Sequence, residues 1–183
     1  MLTTMRSFVL AVTGRDRPGI VSAVTRALLD HELNIEDAEM AILRGHFAVM
    51  LVLDAPPGLD EAALRAELDR VRTTVPLETV SLTEVPAVDT HTAPASHSIS
   101  VYGTDHTGIV HGVAEALAGS QVNVVGLSTR VVGEDSGEPL YVMLLEVALP
   151  ANLDEAGLEE LLAGVAEEQG VDVSVRPVDG DVL

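Results

Sequence analysis

Apolar residues along this chain change their period at regular points. Residues 7–12 form a short β-prone run that ends near a glycine. Ile20, Val21, Val24, Ala27 and Leu28 then recur at helical spacing and give one apolar face. Two further β-prone runs follow, residues 33–43 and 46–53. Asp60 is placed to cap a second helix with Leu64, Leu68 and Val71 inward, and residues 77–83 read as a last strand. The succession then starts again at residues 97–101. Ile109, Val110, Val113, Ala116 and Leu117 repeat the helical face, and residues 122–132 and 140–149 repeat the strand pair. Asp154 heads a helix with Leu158, Leu162 and Val165 inward, and Val171, Val173 and Val175 alternate in a closing strand. The predicted order is β-α-β-β-α-β, twice.

The residues themselves recur as well. Gly14-Arg15-Asp16-Arg17-Pro18-Gly19-Ile20-Val21 returns as Gly103-Thr104-Asp105-His106-Thr107-Gly108-Ile109-Val110, a shift of 89, and Asn34 meets Asn123 at the same shift. Beyond that the shift is 94, where Leu59-Asp60-Glu61-Ala62 matches Leu153-Asp154-Glu155-Ala156 identically. The five extra residues fall around 133–137, a polar, turn-rich stretch where a hairpin loop can lengthen. A tandem duplication results, with a first domain over residues 1–85, a linker rich in Pro, Ala, Thr and Ser over 86–96, and a second domain over 97–183. The expected fold class is α+β. Each repeat is a ferredoxin-like βαββαβ unit, an antiparallel sheet with its helices on one face. The other face then needs a cover, most simply the other repeat or a second chain.

Composition narrows the function classes. Ten basic residues, all arginine, stand against 29 acidic ones, a formal net charge of −19, which argues against direct nucleic-acid binding. Eight arginines face 14 acids in residues 1–90, and two face 15 in residues 91–183. Hydrophobic residues make up 47% and aromatics 2%, so the cores must be built from Val, Leu, Ala and Ile. The absence of cysteine removes disulfides and thiolate chemistry and fits a reducing cytoplasm. The longest apolar stretches, such as residues 47–53, fall well short of the ~18 residues of a membrane helix. The first 13 residues carry one arginine and no small-residue cleavage site, so no secretory signal is expected. A soluble cytoplasmic protein is the expectation.

The loops joining each first strand to its helix carry the most chemistry. A helix start presents unpartnered backbone N–H groups and the positive end of a dipole, which favour a carboxylate or phosphate. Pro18 suits the first helical turn, and Gly19 permits close approach of backbone. Asp16 is placed either to hold the loop through the Gly19 N–H or to meet an ammonium group. Asn34, at the start of the next strand, offers amide donors and an acceptor. N–H groups for a carboxylate with a side-chain oxygen for an ammonium suit a free α-amino acid. Spacing alone leaves the plainer alternative open, that Asp16, Pro18 and Gly19 only shape a tight turn.

Asp16-Arg17-Pro18-Gly19-Ile20-Val21 after a strand, followed by an amphipathic helix and Asn34-Ile35-Glu36-Asp37, resembles an ACT domain. The paired repeats, roughly residues 6–177, resemble the glycine cleavage system transcriptional repressor group. The resemblance implies ACT domains that pair side by side, bind amino acids at the domain interface and act through a protein partner without touching DNA. By resemblance the ligand loop is Asp16, Arg17, Pro18, Gly19 and Ile20 with Asn34, and its second copy is Asp105, His106, Thr107, Gly108 and Ile109 with Asn123. The implied ligand is glycine or another small amino acid. The implied partners are a transcription factor or metabolic enzyme and further copies of the chain, as a homodimer or higher oligomer. The alternative is a ligand-independent dimerisation module. The second repeat departs from the pattern: Arg17-Pro18 becomes His106-Thr107, with Thr107 expected to cap its helix, and Glu36-Asp37 becomes Val125-Gly126. One competent loop and one structural loop is the resulting expectation.

Other chemistries fit poorly. A phosphate loop needs Lys and Ser/Thr where Ile20 and Val21 stand. His106 and His111 are five apart, and His91 and His97 flank the linker, so neither a metal nor another cofactor is expected. Glu159-Glu160 and Glu167-Glu168 read as a solvated helix face, and no nucleophile elbow is present. ACT domains also occur as appendages of enzymes such as a formyl-folate hydrolase, but the chain leaves no room for such a catalytic domain, so it is expected not to be an enzyme. The acidic second half suits docking on a basic protein surface.

Overall fold

The computed structural model describes residues 6–86, 93–133 and 139–178. Most of the expected hairpin insertion and part of the expected linker lie outside these residues. The chain forms two compact units, residues 1–90 and 91–183. The first contains β1 (Arg6–Arg15), α1 (Ile20–Asp30), β2 (Asn34–Leu43), β3 (His46–Ala55), α2 (Glu61–Thr74) and β4 (Leu77–Val85). The second contains β5 (His97–Thr104), α3 (Ile109–Gly119), β6 (Asn123–Val132), β7 (Leu140–Ala148), α4 (Glu155–Gln169) and β8 (Val171–Pro177). Each is an α+β, ferredoxin-like unit with a four-stranded antiparallel sheet, ordered β2-β3-β1-β4 in one and β6-β7-β5-β8 in the other.

Strand alternation and helix period meet on the same side of each sheet. Phe8, Leu10 and Val12 of β1 are fully buried and pack with Ile20, Val24, Ala27 and Leu28 of α1 and Leu64 and Leu68 of α2. Ile99 and Val101 do the same with Val113 and Leu117 of α3 and Leu158 and Leu162 of α4. Registered neighbours on the other side, Ala11 with Met50 and Ser100 with Leu144, point away from the helices. The core among the described residues is aliphatic apart from Phe8, Phe47, Tyr141 and the thioether of Met143.

β1 continues beyond residue 12 to Arg15, because Gly14 and Arg15 still pair with Phe47 and His46. β5 likewise continues to Thr104. The loop therefore opens at Asp16, two residues later than the glycine suggested. A bulge interrupts β2 between Ile35 and Asp37 and β6 between Val124 and Gly126. The bulged residues, Glu36 and Val125, are equivalent in the duplication, so the local geometry is kept although the side chain is not.

Candidate functional site

The β1–α1 loop is anchored at both ends. The Asp16 N–H donates to the Gly45 carbonyl at 2.9 Å, tying the loop to the β2–β3 turn. Ile20 is 2% exposed and belongs to the core, so it offers the loop only its backbone. Between these anchors Asp16, Arg17, Pro18 and Gly19 are exposed. Pro18 lies one residue before the helix cap, outside the first helical turn where the sequence placed it. The cap is Gly19, at φ 98°, a left-handed conformation that an L side chain reaches only with strain. The first ladder bond runs from the Ala23 N–H to the Gly19 carbonyl at 2.9 Å. The N–H groups of Ile20, Val21 and Ser22 precede that ladder. A Cβ placed on Gly19 would meet nothing within 4 Å. The Asp16 carboxylate has no hydrogen bond or ion pair among the described residues, so it does not hold the loop through the Gly19 N–H.

The β5–α3 loop has the same backbone but a different occupant. Gly108 caps α3 at φ 108°, and the Gly112 N–H donates to its carbonyl at 2.8 Å. Thr107 therefore precedes the cap and does not serve as one. The His106 ring lies between two backbone carbonyls, with Nδ1 3.0 Å from the oxygen of Thr107 and Nε2 2.8 Å from that of Gln169 at the end of α4. Carbonyl oxygens only accept, so both contacts are hydrogen bonds only when both ring nitrogens carry protons. The bonds to Thr107 and Gln169, with the charge of Asp105, accordingly hold the His106 pKa above its ordinary value. The Gln169 amide also reaches over the start of α3. A Cβ on Gly108 would lie 3.4 Å from its Oε1, and one on Gly112 would lie 3.3 Å from its Nε2. Val75 stands at the equivalent place in the first repeat and has no amide to offer. Tyr141, where the first repeat has Phe47, is hydrogen-bonded to Thr129, and burial raises its phenol pKa.

Asn34 is not beside the loop of its own domain. Its register partner Asp54 also pairs with Ser7 near the start of β1, whereas the loop leaves from the other end, where Arg15 pairs with His46. The 11 residues of α1, at ~1.5 Å each, put about 16 Å between the two. The Asn34 amide donates to the Glu36 carboxylate. Asn34 also lines an open cavity of about 480 Å³ with Ser22, Thr25 and Arg26, whose guanidinium is 2.9 Å from Asp30. Sequence reasoning missed these α1 residues, although their polar spacing opposite Val24 and Ala27 was a usable signal. Asn123 starts β6 paired with Ala148 and has no acidic bulge residue beside it. Among the described residues no group of three or more His, Cys, Asp or Glu stands close enough to hold a metal ion.

Residues 6–81 match the family model for the ACT domain. The second unit repeats the same element order and the same strand order. The chain belongs to the ACT-domain family. Both ACT units are spanned by its similarity to the glycine cleavage system transcriptional repressor of Escherichia coli, 23% identical over 97% of this chain and 93% of that protein. Phosphoserine phosphatase SerB2 of Mycobacterium tuberculosis is 28% identical over 93% of the chain, which spans 40% of the phosphatase's length. A single ACT unit's worth of sequence, 67 residues, is 37% identical to the UPF0237 protein MK1213 of Methanopyrus kandleri and covers 74% of that relative. The crystal structure of an unknown protein from Galdieria sulphuraria superposes with a TM-score of 0.77 and 29% identity, over 96% of this chain and all of that one. No helix among the described residues of the ACT pair is long and apolar enough to cross a membrane.

Proposed function

We propose that this tandem ACT protein is a non-enzymatic regulator that binds a free small amino acid, glycine or one near it in size, at the first loop and acts through a protein partner. The observation that carries the reading is the contrast between two loops of equal backbone. The first has an exposed carboxylate at Asp16 and empty space over Gly19, whereas in the second the His106 ring is held by two carbonyls and the Gln169 side chain stands beside Gly108. The α-carboxylate of the ligand meets the α1 N–H groups and Arg17, and its ammonium meets Asp16. Asn34 lies too far away to touch that ligand from the same domain. If it takes part, it does so from a different domain copy in the assembly. The similarity to the E. coli repressor supports glycine as the first ligand to try and a transcription factor as the first partner class.

A thermal-shift screen against the common amino acids tests the reading. A ligand at ~100 times its dissociation constant adds about 2.7 kcal/mol, which moves the midpoint of a small domain by roughly 10 °C or more. The shift should disappear in Asp16→Ala with the circular dichroism of the fold unchanged. No shift with any amino acid at millimolar concentration leaves the ligand-independent interaction module as the surviving alternative.

A further inference from the structure

Each ACT unit has a groove between its second helix and its last strand, and the duplication makes one groove a control for the other. In the first unit the groove between α2 and β4 holds only about 130 Å³ and is lined by Arg65, Leu68, Asp69, Val80 and Leu82. In the second unit the same place, between α4 and β8, holds about 460 Å³. The difference has a side-chain cause. Asp69 and Arg72 of α2 become Ala163 and Ala166 in α4, so two charged side chains give way to methyl groups, while Arg65 becomes Glu159. The charge changes with the volume, from balanced on α2 to acidic on α4. Arg65 and Arg72 are paired within α2, to Glu61 at 2.8 Å and Asp69 at 3.4 Å. α4 carries five glutamates and no arginine, and Glu159 on the groove has no cation partner among the described residues.

The other wall is the edge strand of its sheet. Among the described residues β8 pairs with β5 alone, so the N–H and C=O groups of its outer edge face no other described strand. Val173 and Val175 of β8 turn half-buried side chains toward α4, beside Leu162 and Ala166. An added strand thus finds main-chain pairing on one side, an apolar floor for alternate residues, and carboxylates at the rim. A second copy presenting the same acidic helix would be repelled. We propose that the α4–β8 groove is a docking site for an extended basic segment of a partner protein, which adds to β8 as a fifth strand. This rests on the reading that the chain works through a protein partner, and it assigns the contact to the second repeat.

The test uses the full chain and a short fluorescein-labelled peptide of alternating arginine and valine, followed by anisotropy. Binding is expected, with slowed hydrogen exchange at the amides of residues 171–176. Ala166→Arg, which restores the arginine that the first repeat carries at this place, should weaken binding roughly tenfold. Glu168→Arg makes a larger charge change outside the groove lining but within a Debye length of it, and should weaken binding less than Ala166→Arg does. Circular dichroism melts confirm that both variants fold. The proposal is overturned if no binding occurs, if a serine–valine peptide binds as well, or if Glu168→Arg weakens binding as much as Ala166→Arg. The amino-acid thermal shift reads the first repeat separately, so failure of the docking site and failure of the sensor reading are told apart.

Discussion

Single residues decide what each loop can do. Gly19 and Gly108 both turn the chain through left-handed conformations, so an alanine at either is strained wherever it points. Gly19→Ala should cost about 1–2 kcal/mol in denaturant unfolding, from backbone conformation alone because the space around it is empty. Gly103→Ala should cost at least as much for another reason, since its Cβ would lie 2.8 Å from Val171 Cγ1 and 3.3 Å from Val171 Cα. His106 introduces a dependence on pH. Its raised pKa means that the stabilisation it adds is complete below about pH 6.5, the ordinary value, and fades as pH rises through the folded value. The difference in melting temperature between the protein and His106→Ala should be widest near pH 6 and shrink toward pH 9. A difference independent of pH would remove the two-carbonyl clasp as its source.

At the scale of elements, the four helices among the described residues divide into two kinds by how they start. Asp60 accepts from the Ala63 N–H at 3.0 Å and Asp154 from the Gly157 N–H at 2.9 Å, so α2 and α4 are closed by their own side chains. Either Asp→Ala change should lower stability by about 1 kcal/mol, read from the denaturant midpoint. α1 and α3 begin at glycine with no side-chain cap, which leaves their N–H groups to a ligand or to a neighbouring element. Both aspartate caps were legible in the sequence because a cap and the helix it closes are local. Pro18 and Thr107 were misplaced by one or two residues. The helix start depends on how far β1 and β5 continue, and that is set by their pairing with β3 and β7. The Arg6 cluster was not legible at all. Arg6 bridges Glu84 at 2.7 Å and also pairs with Glu61, joining β1, β4 and α2 across a sequence separation no local pattern reports.

For the whole molecule, the duplication produced two cores that share no residue. Leu64→Ala and Leu158→Ala remove equivalent, fully buried side chains, and each should cost about 2–5 kcal/mol within its own unit, as followed by calorimetry. Residues 1–90 and 91–183 expressed separately should each keep their far-ultraviolet circular dichroism. Charge follows the same division. The first unit keeps eight of the ten arginines, among them Arg15 and Arg17 next to the open loop, while α4 of the second has none. Both halves are net acidic, the second much more strongly.

Periodicity and repetition in the amino-acid sequence were sufficient to determine the element order, the fold class, the duplication and the position of both loops. Those properties rest on local spacing and on residues that recur at a constant shift. Only the tertiary structure decided that Asn34 stands at the far end of its domain from Asp16, because strand register and helix length set that separation. It also decided that the two loops are unequal. Gln169 and His106 are 63 residues apart and meet only because α4 packs beside α3, and that contact ties the second loop to the end of α4, as nothing among the described residues does for the first.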